Sequence, residues 1–153
     1  MPSTDPTPAA VVERFIVDNS VWARIGHHPS VATGLKAIIN EHNPSAIWHC
    51  PPTVAEIGFS ARSGDEHTAL MNSLREFGSC PAAPTVESTL AIQNRLWNAG
   101  LVRAVGAVDA MIAAYALAND ATVLHYDSDF EYVARTEPGF RHRWVVPRGS
   151  IAV

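Results

Sequence analysis

Hydrophobic and polar positions follow two rhythms along this chain, and the switches between them mark its elements. The apolar, β-prone run Arg14-Phe15-Ile16-Val17 is closed by Asp18-Asn19-Ser20, which predicts a first strand over residues 14–17. A helical stretch from Val21 is broken by Gly26 and Pro29. A second helix is predicted over 30–41, with Val31, Leu35, Ile38 and Ile39 on one face, stopped by Asn43-Pro44. Ala46-Ile47-Trp48 predicts strand two, and Pro51-Pro52 suit the first turn of a helix running through Arg62. After Ser63-Gly64-Asp65 another helix is predicted over 66–77, and residues 80–84 predict a short strand that their prolines confine to an edge. A long amphipathic helix follows from Thr85 to about Ala99, closed by Gly100. The stretch 108–119 is apolar nearly all round and is therefore predicted to be a buried helix. A strand over 122–126, a helix over 128–135, a turn at Pro138-Gly139 and a strand over 143–146 complete the reading. Strands alternating with helices predict an α/β fold: a three-layer sandwich with a mostly parallel central sheet and helices on both faces.

A chain of 153 residues, 47% hydrophobic and 17% charged, suits one such domain. Pro2, Pro6 and Pro8 among Ser and Thr predict a flexible tail over residues 1–12, leaving 13–153 as the domain. No apolar run is long enough to span a membrane, and the first residues lack the pattern of a secretory signal, so a cytoplasmic protein with no membrane partner is expected. Cys50 and Cys80 are far apart and form no CxxC, so they are expected to be two buried thiols.

Charge narrows the chemistry further. A net charge of −4 argues against a broad basic surface for nucleic acid. A phosphate ligand must then be met locally, by a metal in an acidic pocket or by clustered arginines, since Lys36 is the only lysine.

Four segments place carboxylates among apolar neighbours: Val17-Asp18, Val54-Ala55-Glu56-Ile57, Val108-Asp109-Ala110 and Tyr126-Asp127-Ser128-Asp129-Phe130. Asp18 and Asp127 each follow a predicted strand, where ligands of doubly wound sheets bind. Asp109 opens the apolar helix and shares its face with Ile112, Ala113 and Ala116. Singly, each acid has a plainer explanation. Asp109 could cap its helix, Asp127 or Asp129 the next one, Glu56 could be solvated and Asp18 could be a turn residue. Together they repel, and no basic residue lies beside them in these segments, so a divalent cation is the expected compensation. All-oxygen ligation suits Mg²⁺ or Mn²⁺.

These segments, with Phe15-Ile16-Val17-Asp18-Asn19-Ser20, the Pro51-Pro52-Thr53-Val54-Ala55-Glu56 approach, Val108 to Ala114, Leu124 to Phe130 and the closing Trp144-Val145-Val146-Pro147-Arg148-Gly149-Ser150, resemble in order and spacing the VapC-type PIN-domain toxins of bacterial toxin–antitoxin pairs. The resemblance covers about Arg14 to Ser150. It implies a PIN-like fold and a Mg²⁺- or Mn²⁺-dependent endoribonuclease that leaves 5′-phosphate and 3′-hydroxyl ends. It also implies an RNA substrate, a homodimer and inhibition by a cognate VapB-type antitoxin. Carried over by position, it makes Asp18, Glu56, Asp109 and Asp127 the catalytic, metal-binding acids, with Asp129 accessory and Ser20 supporting them. Asn19 stands where such proteins often have Thr. Arg24, Arg62, Arg103 and Arg135 are candidates for RNA phosphates, while Trp22, Trp48, Trp97 and Trp144 read as core or dimer contacts. A phosphotransfer domain is disfavoured because no lysine follows Lys36 and no Asp-x-Asp nucleophile is present. A DNA-directed nuclease and a catalytically silent binding module are the remaining alternatives. The intact acidic set speaks against the silent module.

Overall fold

The computed structural model describes residues 12–151, so the tail expected over 1–12 lies, but for Val12, outside the described residues. The elements run β1 (Phe15–Val17), α1 (Asn19–Trp22), α2 (Pro29–His42), β2 (Ile47–His49), α3 (Pro51–Phe59), α4 (Gly64–Ser73), β3 (Gly78–Ser79), α5 (Val86–Asn98), α6 (Ala107–Ala118), β4 (Thr122–His125), α7 (Asp129–Thr136) and β5 (Arg141–Trp144). All five strands are parallel, in the order β3-β2-β1-β4-β5. Strand order reverses at β1, which lies between β2 and β4, and this opens a crevice at the carboxyl ends of β1 and β4.

Two apolar layers sandwich the sheet, as the alternation of helices and strands predicts. Phe15, Val17 and Leu124 pack with Val21, Val31, Leu35 and Ile38 of α1 and α2. Ile16 and Val123 point the other way, into Ile92, Leu96, Ile112, Phe130 and Val133 of α5, α6 and α7. A central parallel strand is covered on both faces, which is why all three residues of β1 are apolar and buried. Small side chains let α6 lie close to the sheet, burying Ala110, Ala113, Ala114 and Ala116. Its outer face nevertheless leaves Met111 and Leu117 partly exposed, so the helix is buried on one side and not all round.

The structure moves several boundaries. The expected edge strand at 80–84 is instead the two-residue β3. Pairing stops before Pro81 because Pro81 and Pro84 carry no N–H, and Gly78 packs tightly beneath Trp48, where an added Cβ would lie 3.0 Å from the ring. Helix α3 ends at Phe59, three residues before Arg62, and α4 begins at Gly64 because the Ser63 hydroxyl accepts from the Glu66 N–H. The last strand is shifted to 141–144. As an edge it alternates exposed and half-buried residues, and the apolar pair Val145-Val146 lies just beyond it. Cys50 is buried as expected, whereas Cys80 is only partly covered.

Candidate metal centre

Each acid reaches the crevice through a different local device. Asp18 caps α1, with one oxygen (Oδ2) accepting from the Ser20 N–H at 2.9 Å, while its own N–H donates to the Leu124 carbonyl at 2.9 Å. That second bond fastens the end of β1 to β4. Across the same seam the Tyr126 N–H donates to the Ser20 hydroxyl at 2.9 Å, so Ser20 ties the Asp18 turn to the Asp127 loop. Asp127 Oδ1 accepts from the Asp129 N–H at 3.0 Å, and Asp129 Oδ2 accepts from the Gly106 N–H at 3.2 Å, which joins the start of α7 to the start of α6.

The capping explanation therefore divides. Gly106 is the N-cap of α6, and Asp109, three residues inside, makes no capping bond. Asp127 and Asp129 do each satisfy a helix-terminal N–H, but with one oxygen apiece. One oxygen from each of Asp109, Asp127 and Asp129 lies within 4.8 Å of the other two, an arrangement that can hold a metal ion. Asp18 and Glu56 stand outside that tightest group yet within its field. Burial first, then the charges of Asp18 and Asp127, raises the pKa of Glu56. Burial is also the largest cause of the upward shifts of Asp18 and Asp127. Asp109 moves furthest, to about 9, through burial, a hydrogen bond with Asp129 and the charges of Asp18, Asp127 and Asp129.

Among the described residues none of these five carboxylates is in an ion pair, and the second oxygen of Asp18 (Oδ1) is buried with no hydrogen-bond partner. Carboxylates without an ion-pair partner, that of Asp18 buried and the other four half-buried, converge from four segments and fit a hard divalent cation, whose preferred donors are such oxygens. Without a cation, burial first and then the neighbouring carboxylates favour a proton on Asp109, which is what its raised pKa records.

The basic candidates separate. Arg24 sits against the site, donating to the Ser20 carbonyl at 2.8 Å with its guanidinium 5.1 Å from the centre of the Tyr126 ring. The Arg62 guanidinium is committed to Glu66 at 3.1 Å. Arg103 is exposed in the turn before α6, with a left-handed backbone (φ 59°), and Arg135 lies over Tyr132. Two neighbours of the acids carry no clear signal in the sequence. His125, fully buried at the end of β4, accepts the Asp127 N–H on Nδ1 at 3.0 Å, but a lone histidine in an apolar strand reads as core. Arg148 reaches the site only because the segment after β5 folds back along Tyr126.

The PIN domain family model matches residues 15–136. Ribonuclease VapC18 of Mycobacterium tuberculosis is 34% identical over 143 residues, covering 90% of this chain and 98% of the relative. Ribonuclease VapC6 of the same species is 38% identical over 106 residues, covering 66% and 81%. In structure, the DNA-bound VapBC of Salmonella typhimurium matches with a TM-score of 0.66 at 18% identity over 88% of this chain and 99% of that one. The fold, the match across most of the chain and the relatives agree: this chain belongs to the PIN domain family.

Proposed function

We propose that the chain is an endoribonuclease whose acids Asp18, Glu56, Asp109 and Asp127, with Asp129, hold Mg²⁺ or Mn²⁺, and that it is the toxin of a toxin–antitoxin pair. The convergence of unpaired carboxylates on one crevice, including the partnerless oxygen of Asp18, carries the reading. Relatives named Ribonuclease VapC support RNA as the substrate. Solved neighbours that are VapBC assemblies support a VapB-type antitoxin as partner. An apolar groove of about 460 Å³ beside Glu56, lined by Ala55, Phe59, Val108 and Met111, suits the apolar face of such a partner. No helix among the described residues is long and apolar enough to cross a membrane, consistent with action in the cytoplasm.

When bound, a divalent cation here supplies a Lewis acid for the phosphodiester and makes water a better nucleophile. The protein's part is to position and to exclude. Ser20 and the Asp18 N–H lock the β1 and β4 loops together, so the Asp18 and Asp127 carboxylates keep a fixed separation. Asp109 and Asp129 close the other side from α6 and α7. With water and not the ribose 2′-hydroxyl as nucleophile, and the 3′-oxygen as the leaving group, the products should carry 5′-phosphate and 3′-hydroxyl ends. Cleavage of RNA should require Mg²⁺ or Mn²⁺ and stop with EDTA, and a 2′,3′-cyclic phosphate product would overturn the mechanism.

A further inference from the structure

Next to Asp127 lies a cavity of about 410 Å³, lined by Ser20, Arg24, Tyr126, Trp144, Arg148 and Gly149 among others. Its wall is a ladder of cations and rings. The Arg24 guanidinium stacks 5.1 Å from the Tyr126 ring centre, Tyr126 meets Trp144 edge to face at 5.3 Å, and Arg148 lies 5.9 Å from Trp144. Stacking on rings holds a guanidinium's plane while leaving its N–H edge available.

Arg24 is not ion-paired with the acids beside it, and Arg148 is paired through one nitrogen to Glu131, outside the acid cluster. One Nη of Arg24 donates to the Ser20 carbonyl at 2.8 Å, and among the described residues Arg24 has no carboxylate partner, although it stands close enough to Asp127 to offset part of that residue's upward pKa shift. Arg148 donates to Glu131 at 2.8 Å, and the other oxygen of Glu131 accepts from the Trp144 indole at 2.9 Å. A guanidinium has five donors, so each retains several for a ligand. The chain segment bearing Arg148 is pinned in place. The Tyr126 hydroxyl accepts from the Gly149 N–H at 3.0 Å and the Ile151 N–H at 3.3 Å, and Gly149 takes the left-handed backbone (φ 75°) that this turn requires.

We propose that this cavity is a second phosphate subsite, in which Arg24 and Arg148 grip the backbone phosphate adjoining the one cut at the acids, and that Tyr126 holds Arg148 there. A phosphodiester presents two non-bridging oxygens that share one negative charge and match the guanidinium fork. The subsite supplies attraction where the acids repel the strand, in a protein whose net charge of −4 offers little elsewhere. It rests on the ribonuclease reading above and extends it to substrate binding.

The test separates binding from cutting. In an Asp109→Asn background, which leaves the RNA intact, affinity for a short unstructured fluorescent oligoribonucleotide is read by anisotropy over a range of salt. Arg24→Ala and Arg148→Ala should each weaken binding about tenfold, the loss of one charge-assisted contact. Each should also lower the slope of log affinity against log salt by about 0.7, the value for one phosphate contact to a single strand. Lysine at either position should restore the slope and part of the affinity. Tyr126→Phe keeps the ring under Arg24 but frees the turn, so it should reproduce the Arg148→Ala loss and add little to it. Two alanine variants that melt normally and bind within twofold of the parent with unchanged slope would overturn the subsite. If binding depends on both arginines yet the wild type cuts no RNA, the subsite stands and the nuclease reading falls.

Discussion

One oxygen of Asp18 is satisfied by the Ser20 N–H and the other is buried with nothing to accept from, a state that costs free energy and that a bound cation would relieve. At Asp109, burial first and then the neighbouring carboxylates appear as a raised pKa. Its folded-state proton is held more tightly than in the unfolded chain, so this stabilising contribution is whole below the ordinary 3.8 and is lost as pH rises toward about 9. Asp18, Glu56 and Asp127 shift in the same direction and steepen the effect. The metal-free protein should therefore melt at progressively lower temperature as pH climbs through that window, in EDTA scans. Asp109→Asn should flatten the decline, melt at the same or a higher temperature than wild type in EDTA, and abolish cleavage. Mg²⁺ should raise the wild-type midpoint by mass action and the variant's much less. A variant that kept both cleavage and the metal-dependent shift would remove Asp109 from the site. His125 makes a different kind of contribution. Because Nδ1 accepts the Asp127 N–H, the proton of the neutral ring is on Nε2 and donates to His142 Nδ1 at 2.8 Å. Burial and the neighbouring His142 hold the His125 pKa down near 3, so this arrangement persists at neutral pH. His125→Leu leaves the Asp127 N–H without its acceptor and should cost about 1–3 kcal/mol of stability together with Mn²⁺ affinity. His125→Asn keeps an acceptor near the Nδ1 position and should recover the metal affinity measured by calorimetry. Equal losses in both variants would reduce His125 to core packing.

At the level of elements, legibility followed the strength of the local pattern. Strand β1 and helix α6 are short, apolar and bounded by polar residues, and both lie where the pattern places them. Strands β3 and β5 were misplaced because an edge strand needs little apolar content, so its position is set by partners distant in sequence: Trp48 for Gly78, and Thr122 for Arg141. The site divides in the same way. Acids stranded among apolar residues are visible in one dimension, whereas Arg148, Tyr126 and His125 acquire their roles from folding back, from a hydroxyl accepting distant N–H groups and from a buried ring nitrogen. Gly34 shows how far element packing can reverse a local rule. In a helix interior Gly→Ala ordinarily gains about 1 kcal/mol of helix propensity. Here a Cβ on α2 would fall 2.4 Å from the backbone oxygen of Val145, in the segment leading to Arg148. Backbone cannot swing aside as a side chain can, so overpacking should prevail, and Gly34→Ala should destabilise by about 1–3 kcal/mol in urea titration. A stabilised variant would show that the α2 contact yields freely.

Across the whole molecule, the sheet's carboxyl edge gathers the acids and the flanking arginines, and α5 offers an apolar surface of its own. Val86, Leu90 and Trp97 of α5 are 72%, 55% and 41% exposed, although the helix is anchored by the burial of Ile92 and Leu96. Residues 86, 90 and 97 recur at helical spacing, so these three side chains form a stripe facing away from the core. Isolated exposed apolar residues are ordinary, but a stripe that includes a tryptophan is costly to leave in water. The homodimer implied by the resemblance would cover it with a second copy of the same helix, as a two-fold interface requires each patch to complement itself. Light scattering at micromolar concentration should accordingly give twice the 16.5 kDa chain mass. Leu90→Glu would set two like charges near the two-fold axis and should shift the protein to monomer, while the acid cluster, built from other elements, should still bind Mn²⁺. A wild-type monomer, or a dimer indifferent to Leu90→Glu, would leave the stripe solvent-facing and place any self-association elsewhere.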